Sequence, residues 1–311
     1  MQSPSPFRMN PPPPPNPIPR TPGAEVVVGP ELVRALLADQ HPDLLGPELR
    51  PVEAGWDNTM YRLGEGLAVR LPHRLASADR VEIEQTWLPR VAPQLSLPVP
   101  VPIRRGLPAR DFPWRWSVVR WLTGAPADLN LPGSAQGVAW AAFLRSLHTA
   151  PPADAPRNLH RGIPLARRAH YTAARLDRLQ AATPHITRPV REVWASALKA
   201  PIDAPDTWIH GDLHPRNVLV EAGVFTGVID WGDLAAGDPA TDLASIWMLL
   251  DGTTARETAL AAYGAVSPAT RDRARGWALA LALVLLETGL VDNPRNAAIG
   301  TAILVRLIDP S

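Results

Sequence analysis

Apolar positions alternate in short segments near the start of the chain and recur at helical spacing further on. Residues 30–40 carry leucines on one side, which predicts a short helix. Four segments have the alternation or the unbroken apolar run of strands: residues 49–53, 59–63, 67–71 and 116–121. Gly64-Glu65-Gly66 separates two of these segments and predicts a hairpin turn. The first part of the chain is therefore predicted to combine a small sheet with helices.

The second half of the chain is predicted to be mostly helical. Residues 135–148 place four apolar side chains on one face, at positions 140, 143, 144 and 147. A loop at 158–162 precedes an arginine-rich helical region that ends near Lys199, and its arginines are expected to form a solvated face. Further helices are predicted at 256–263 and 271–308.

Composition limits the classes of protein that fit. With 311 residues and 46% hydrophobic content, the chain can bury one large core or two linked ones. It has no cysteine, which excludes disulfides and thiolate metal sites and favours the reducing cytoplasm. A formal net charge of +1 gives no reason to expect nucleic acid or a membrane as a partner. The most apolar stretch, residues 277–286, is too short to span a bilayer and predicts a buried helix.

Residues 1–22 are predicted to form a disordered, proline-rich tail. They include Pro11 to Pro15, and proline removes backbone donors from a segment that has almost nothing to bury. An alternative is that the proline run binds a partner protein, although no aromatic or patterned basic residues surround it.

Polar residues with the spacing of a phosphoryl-transfer site lie between residues 208 and 244. Such a site needs a carboxylate that accepts the proton of the attacking hydroxyl, and oxygen ligands for Mg²⁺. Asp212 stands five residues before Asn217, and Asp230 follows two short β-branched runs. Each residue alone would more often cap a turn. All three in this order, beside strands, indicate a catalytic loop, a hairpin and a metal-binding aspartate.

This stretch resembles the signature of the aminoglycoside phosphotransferase family, kinase-like enzymes that phosphorylate small molecules. The resemblance rests on the sequence H-G-D-L-H of residues 210–214, on Asn217, and on Asp230 after an isoleucine. It implies an α+β, bilobal protein-kinase-like fold with a small β-rich lobe and a larger helical lobe. It also implies that Asp212 is the catalytic base, that Asn217 and Asp230 hold Mg²⁺, and that Asp242 supports the backbone of the catalytic loop.

The two histidines of this motif also permit another interpretation. His210 and His214 could belong to the metal cluster of a hydrolase, which would need further ligands nearby in the fold. The other histidines stand singly along the chain. The preferred prediction is that His210 and His214 orient the loop by hydrogen bonds.

The resemblance also places a nucleotide, ATP or GTP, between two lobes. The implied parts are a nucleotide-binding lobe of residues 29–118, a hinge of 119–124 and a helical lobe of 125–311 with the catalytic loop and the substrate cleft. In the hinge, the backbone of Arg120 and Leu122 would contact the base, which leaves adenine and guanine equally open. The loop that ends at Asn58 would cover the nucleotide, although a G-x-G-x-x-G sequence is absent.

A kinase-like site also needs a cation on the third strand and a glutamate on the next helix. Arg70 occupies the strand position, where many relatives carry lysine. The helix is predicted over 77–91, and its periodicity places Glu84 inside the apolar face and Glu82 on the opposite side. Because a carboxylate in an apolar face needs a cationic partner, Glu84 is the predicted partner of Arg70. The alternative is that Glu84 reaches solvent at the end of that face.

The segment after the metal-binding aspartate bears on the substrate. Only seven residues separate Asp230 from Asp238-Pro239, where a capping residue and a proline predict a helix. A protein kinase needs a longer segment there to dock a peptide, so the predicted acceptor is a hydroxyl group of a small molecule. Antibiotics of the macrolide, nucleoside or aminoglycoside type are candidates, and the pI of 8.3 favours a neutral or singly charged acceptor over a polycationic one. The alternatives are a metabolite kinase unrelated to resistance and a nucleotide-binding pseudokinase, which Arg70 suggests.

Overall fold

The computed structural model of the protein describes residues 23–52 and 57–309. The predicted tail of residues 1–22 lies outside the described residues, as does the first part of the loop that leads to Asn58.

A five-stranded antiparallel sheet forms the first part of the chain. Its strands are β1 (Leu49–Pro51), β2 (Asn58–Leu63), β3 (Leu67–Pro72), β4 (Pro102–Gly106) and β5 (Trp116–Arg120), in the order β1-β2-β3-β5-β4. The predicted turn at Gly64 to Gly66 joins β2 to β3. Helix α1 (Pro30–Gln40) has the predicted bounds and buries Val33, Leu36 and Leu37. These side chains pack with the sheet in a hydrophobic cluster of their own.

Helix α2 (Leu75–Val91) connects this sheet to the rest of the molecule. It begins two residues earlier than predicted and ends at the predicted residue. Val81, Leu88 and Val91 are buried on its apolar face. Leu88 and Val91 belong to the second, larger hydrophobic cluster, which lies among the later helices. The helix therefore packs on both parts of the molecule at once.

The second part of the chain is helical, as predicted. Its helices are α3 (Gly137–Leu147), α4 (Ala169–Ala182), α5 (Arg188–Lys199), α6 (Ala240–Leu243), α7 (Ser245–Leu249), α8 (Thr253–Tyr263), α9 (Pro268–Asp292) and α10 (Pro294–Ile308). Helix α9 is longer than predicted and, by length and composition alone, could cross a membrane. However, 78% of its most apolar window is buried against the other helices, so α9 is the central helix of this core.

The arginine-rich region differs from the prediction of a solvated face. Arg175 and Arg178 of α4 form ion pairs of 2.7 and 2.6 Å with Glu287 of α9, whose side chain is fully buried. A buried carboxylate is stable only with such partners. The arginines of α4 therefore fasten this helix to the core, and the expectation of a purely solvated face is wrong for them.

Two small sheets position the predicted catalytic segment. One contains β6 (Ala125–Pro126), β8 (Val218–Glu221) and β9 (Val224–Val228), and the other contains β7 (Thr207–Ile209) and β10 (Ala235–Gly237). Residues 210–217 thus run from β7 to β8, and the chain turns back after Asp230 into β10. Strand β10 follows Asp230 closely in the chain and pairs with β7, so only a short segment lies between Asp230 and Asp238, as predicted.

Candidate functional site

A single buried carboxylate holds the start of the segment 210–217 by hydrogen bonds. Both oxygens of Asp242, in α6, accept hydrogen bonds from backbone amides: that of His210 at 2.6 Å and that of Gly211 at 2.8 Å. Gly211 has φ = 87°, and a Cβ there would lie 3.1 Å from the carbonyl oxygen of Asp233. Only glycine fits this conformation without strain. The contact predicted for Asp242 is therefore present, and it fixes the start of the loop.

The two histidines of the motif form hydrogen bonds with the backbone in and beside the loop. His210 Nδ1 accepts from the backbone N–H of Asp212 at 3.2 Å, so its Nε2 must donate to the carbonyl of Ile229 at 3.0 Å. His214 Nδ1 accepts from the backbone N–H of Arg216 at 3.2 Å. Within residues 23–52 and 57–309, no group of three or more His, Cys, Asp or Glu side chains could hold a metal ion.

Asp212, the predicted base, lies beside a cation. Nη2 of Arg161 donates to its Oδ1 at 3.0 Å, and Nε2 of His214 lies 3.4 Å from its Oδ2. Burial by itself would raise the pKa of this carboxyl group, but Arg161 and His214 outweigh burial and hold the pKa of Asp212 well below its usual range. Asp212 is therefore ionised at neutral pH.

The two predicted metal ligands lie at the open end of the β8–β9 hairpin, where the backbone N–H of Ile229 donates to the carbonyl of Asn217 at 2.9 Å. The side-chain Nδ2 of Asn217 donates to the backbone carbonyl of Asp212 at 2.9 Å, which directs its amide oxygen elsewhere. Asp230 follows β9 in a left-handed conformation, φ = 65°, and its carboxylate is 41% exposed. Amide and carboxylate oxygens are the ligands that Mg²⁺ prefers. The two side chains therefore fit a site that a nucleotide's phosphates would complete.

Arg70 connects this hairpin to the five-stranded sheet. It forms ion pairs with both Glu84 of α2 and Asp230, and these two carboxylates raise the pKa of Arg70 although burial would lower it. Glu84 is 3% exposed and also accepts from the backbone N–H of Trp231 at 2.8 Å. The side chain of Asn58, with its amide oxygen facing the guanidinium, accepts from Nη2 of Arg70 at 2.9 Å.

The helix phase predicted for α2 is confirmed by these contacts. Glu84 is buried against Arg70, whereas the side chain of Glu82 is 66% exposed. The sequence did not predict that Arg70 also contacts Asp230, because the two residues are 160 positions apart.

The predicted hinge residues lie where β5 ends. Arg120 is exposed at the end of this strand. Leu122 packs on β9 so closely that a Cβ at Gly227 would lie 2.9 Å from its Cδ1. The structure thus places Arg120 and Leu122 at the joint between the two parts of the molecule, and their contact with a base stays a prediction.

The loop at 158–162 was predicted, but the contact of its Arg161 with Asp212 was not. Asn158 organises this loop: its Oδ1 accepts from the backbone N–H of His160 and of Arg161, and its Nδ2 donates to Asp233 at 2.7 Å. Gly162 follows with φ = 65°, and a Cβ there would lie 2.9 Å from Cα of Gly237. An Asn followed by a Gly signals a turn. That signal could not reveal the contact with Asp212, which depends on how β10 packs against the loop.

Comparisons with known proteins identify the family and the fold of the chain. Residues 48–277 match the model of the phosphotransferase enzyme family, APH. An aminoglycoside 3′-phosphotransferase from Escherichia coli is 31% identical over 123 residues, which cover 38% of this chain and 45% of the relative. The chain thus aligns with less than half the length of this curated relative.

Solved structures that resemble most of the chain include two phosphotransferases. The GDP complex of aminoglycoside 2′-phosphotransferase-IIIa has a TM-score of 0.65 at 19% identity, covering 89% of this chain and 97% of its own. The macrolide 2′-phosphotransferase of Brachybacterium faecium has a TM-score of 0.58 at 23% identity, covering 90% and 99%. At these identities the likeness concerns the fold, and it confirms the predicted α+β, kinase-like architecture. With the family model matching most of its length, the chain belongs to the APH phosphotransferase enzyme family.

Proposed function

We propose that this protein transfers the γ-phosphoryl group of ATP or GTP to a hydroxyl group of a small molecule, in a Mg²⁺-dependent reaction in the cytoplasm. The observation that carries the proposal is the position of Asp212. It is ionised and lies in the loop that Asp242 supports. Asn217 donates to its backbone carbonyl, and Asp230, whose carboxylate pairs with Arg70, follows the β8–β9 hairpin that begins after Asn217. A loop, hairpin and aspartate in this arrangement suit phosphoryl transfer.

In the proposed reaction the acceptor hydroxyl lies against Asp212. Its oxygen forms a bond to the γ-phosphorus as the bond from that phosphorus to the β,γ-bridging oxygen breaks, and the nucleoside diphosphate leaves with the bridging electrons. The hydroxyl proton passes to Asp212. Because the pKa of Asp212 is depressed, its first task is to accept a hydrogen bond and orient the hydroxyl, and it takes the proton as the P–O bond forms.

We assign the binding of the phosphate donor to the predicted metal ligands and to residues of the five-stranded sheet and the hinge. Asn217 and Asp230 would hold Mg²⁺, which neutralises phosphate charge when bound. Arg70 would contact the phosphates, kept in place by Glu84. Arg120, Leu122 and Asn58 complete the proposed nucleotide site, between a lobe of residues 29–118 and a lobe of residues 125–311 joined by a hinge of 119–124.

The proposed acceptor class includes antibiotics. The E. coli relative is named for an aminoglycoside and the B. faecium structure for a macrolide. The net charge of +1 favours a neutral or singly charged acceptor over a polycationic aminoglycoside.

A screen for nucleotide consumption tests the proposal. The protein is incubated with Mg²⁺ and ATP or GTP, alone and with macrolides, nucleosides, aminoglycosides and hydroxylated metabolites, and products are identified by mass spectrometry. We expect Mg²⁺-dependent diphosphate formation and a phosphorylated acceptor. The control Asp230→Ala should lose Mg²⁺-dependent nucleotide binding in calorimetry. If neither Mg²⁺-dependent phosphate transfer nor hydrolysis is seen under any of these conditions, the result favours a pseudokinase instead.

A further inference from the structure

Two arginines with buried donors that lack an acceptor lie on the loop beside Asp212 and at its end. Arg161 donates to Asp212 through Nη2, and Arg168 donates through Nη1 to the backbone carbonyl of His160 at 2.8 Å. The Nε atoms of both arginines are buried, and no protein group among the described residues accepts a hydrogen bond from either. A buried N–H without an acceptor is costly, and an oxygen atom of a bound molecule beside these arginines would lower that cost.

Arg168 differs from the other arginines of this region. Arg175 and Arg178 share the carboxylate of Glu287, and Arg273 of α9 is paired with Asp238. No carboxylate of the described residues lies within ion-pair distance of Arg168. Burial and the neighbouring charges of Arg161 and Arg175 lower the pKa of Arg168 to about 10. It is thus a half-buried cation whose charge the protein does not balance.

The guanidinium of Arg168 is nevertheless held in a defined place. Its central carbon lies 5.3 Å from the centre of the Trp277 ring, and its bond to His160 fixes it next to Arg161 along the loop. An arginine held on an aromatic ring can still present its free edge to an anion. Arg161 and Arg168 both offer positive charge and donors, which suits an oxyanion and not a cation.

The acceptor molecule has to approach this place because its reacting hydroxyl must lie against Asp212. We propose that Arg161 and Arg168 form an oxyanion-binding subsite for the acceptor, which carries a phosphate, sulfate or carboxylate group near the hydroxyl that is phosphorylated. The inference rests on the proposed function and narrows its substrate class. Arg161 connects the catalytic base to the proposed subsite, since it donates to Asp212 and also offers a donor to the oxyanion. A polycationic acceptor is disfavoured here by charge repulsion.

Binding of simple oxyanions tests the subsite directly. With the nucleotide site saturated by Mg²⁺ and a non-hydrolysable ATP analogue, calorimetry measures the binding of inorganic phosphate, sulfate and acetate to wild type, Arg168→Gln and Arg167→Gln. Arg167 is the exposed neighbour and serves as the matched control. We expect saturable binding to wild type and the control, weakened at least tenfold in Arg168→Gln. Preference for phosphate and sulfate, or for acetate, separates tetrahedral oxyanions from a carboxylate.

A second variant separates loss of the subsite from loss of the fold. Arg168→Lys keeps the charge and should retain more of the oxyanion affinity than Arg168→Gln, and thermal melting shows whether both variants are folded. Absence of saturable binding, or equal affinity in Arg168→Gln and Arg167→Gln, overturns the subsite.

The two proposals can fail separately. Asp212-dependent hydrolysis of the nucleotide without oxyanion binding would overturn the subsite alone. Oxyanion binding without any Mg²⁺-dependent hydrolysis or transfer would overturn the proposed function instead. With both activities present, acceptors that differ only in an anionic group, such as glucose and glucose 6-phosphate, should differ in KM, and Arg168→Gln should remove that difference.

Discussion

At the scale of single residues, Arg70 makes use of a property that distinguishes arginine from lysine. Its two terminal nitrogens bind two different carboxylates, Nη1 to Glu84 and Nη2 to Asp230. A guanidinium presents several donors in a rigid fork, whereas an ammonium is a point charge. Arg70 therefore holds α2 and the proposed metal ligand together, and its presence is no argument against activity.

The Arg70–Glu84 pair predicts a clear contrast between two glutamates of α2. Glu84→Gln leaves Arg70 with one carboxylate fewer in a buried site, which should cost about 2 kcal/mol of stability and lower activity about tenfold or more. Glu82→Gln is the matched control on the exposed face and should change stability by less than about 0.5 kcal/mol. Urea unfolding and steady-state rates measure both. Equal effects of the two substitutions would contradict the role of Glu84.

The environment of Asp212 predicts a pH dependence of stability. The pKa of Asp212 is depressed in the folded state, so its stabilisation is fully present above the unfolded value of about 4 and is lost as pH falls through the folded pKa. The difference in unfolding free energy between wild type and Asp212→Asn should stay constant from about pH 8 to 5 and shrink below about pH 4. Urea titrations at several pH values measure it. A difference that already shrinks between about pH 7 and 6 would indicate a raised pKa.

At the scale of elements, the site consists of loops whose ends are fixed by neighbouring strands. Helix and strand positions were predictable from periodicity, because the apolar faces of α1, α2 and α3 recur at helical spacing and each packs on one side. The residues 210–217 were predictable from their motif. The loop 158–162 was also predicted, but its place beside Asp212 was not, because that place depends on Gly162 meeting Gly237 of β10, a contact between chain segments far apart in sequence.

This close approach makes Gly162 more sensitive than an ordinary turn glycine. Gly162→Ala places an alanine in the left-handed conformation, and its Cβ clashes with the backbone of Gly237. The substitution should lower the free energy of unfolding by about 3 kcal/mol. Gly223→Ala in the β8–β9 turn also has a positive φ, but its new Cβ would find only ordinary contacts, so about 1–2 kcal/mol is expected. Activity should also fall in Gly162→Ala, since Arg161 shifts with the loop. Equal stability losses in chemical denaturation would show that the close approach is absent.

At the scale of the whole molecule, polar contacts connect the parts that contain the two hydrophobic clusters. Arg70 of the sheet forms an ion pair with Asp230. Arg80 of α2 forms an ion pair with Asp57, and its Nε lies 3.8 Å from Oδ1 of Asp233. The sequence implied the two-part architecture through its resemblance to the family, and its strand-rich and helix-rich regions are separate along the chain. It could not predict these connections, because each joins residues that only the packing of the two parts brings together.

The central claim is that Asp212 serves transfer and not nucleotide binding. The most direct test compares the rate of Mg²⁺-dependent phosphoryl transfer, or of γ-phosphate release, in wild type and Asp212→Ala, with nucleotide affinity measured by calorimetry on the same samples. We expect the rate to fall by about 10² to 10⁴ while the affinity for the Mg²⁺–nucleotide complex stays nearly unchanged. Retention of most of the wild-type rate by Asp212→Ala would contradict the account.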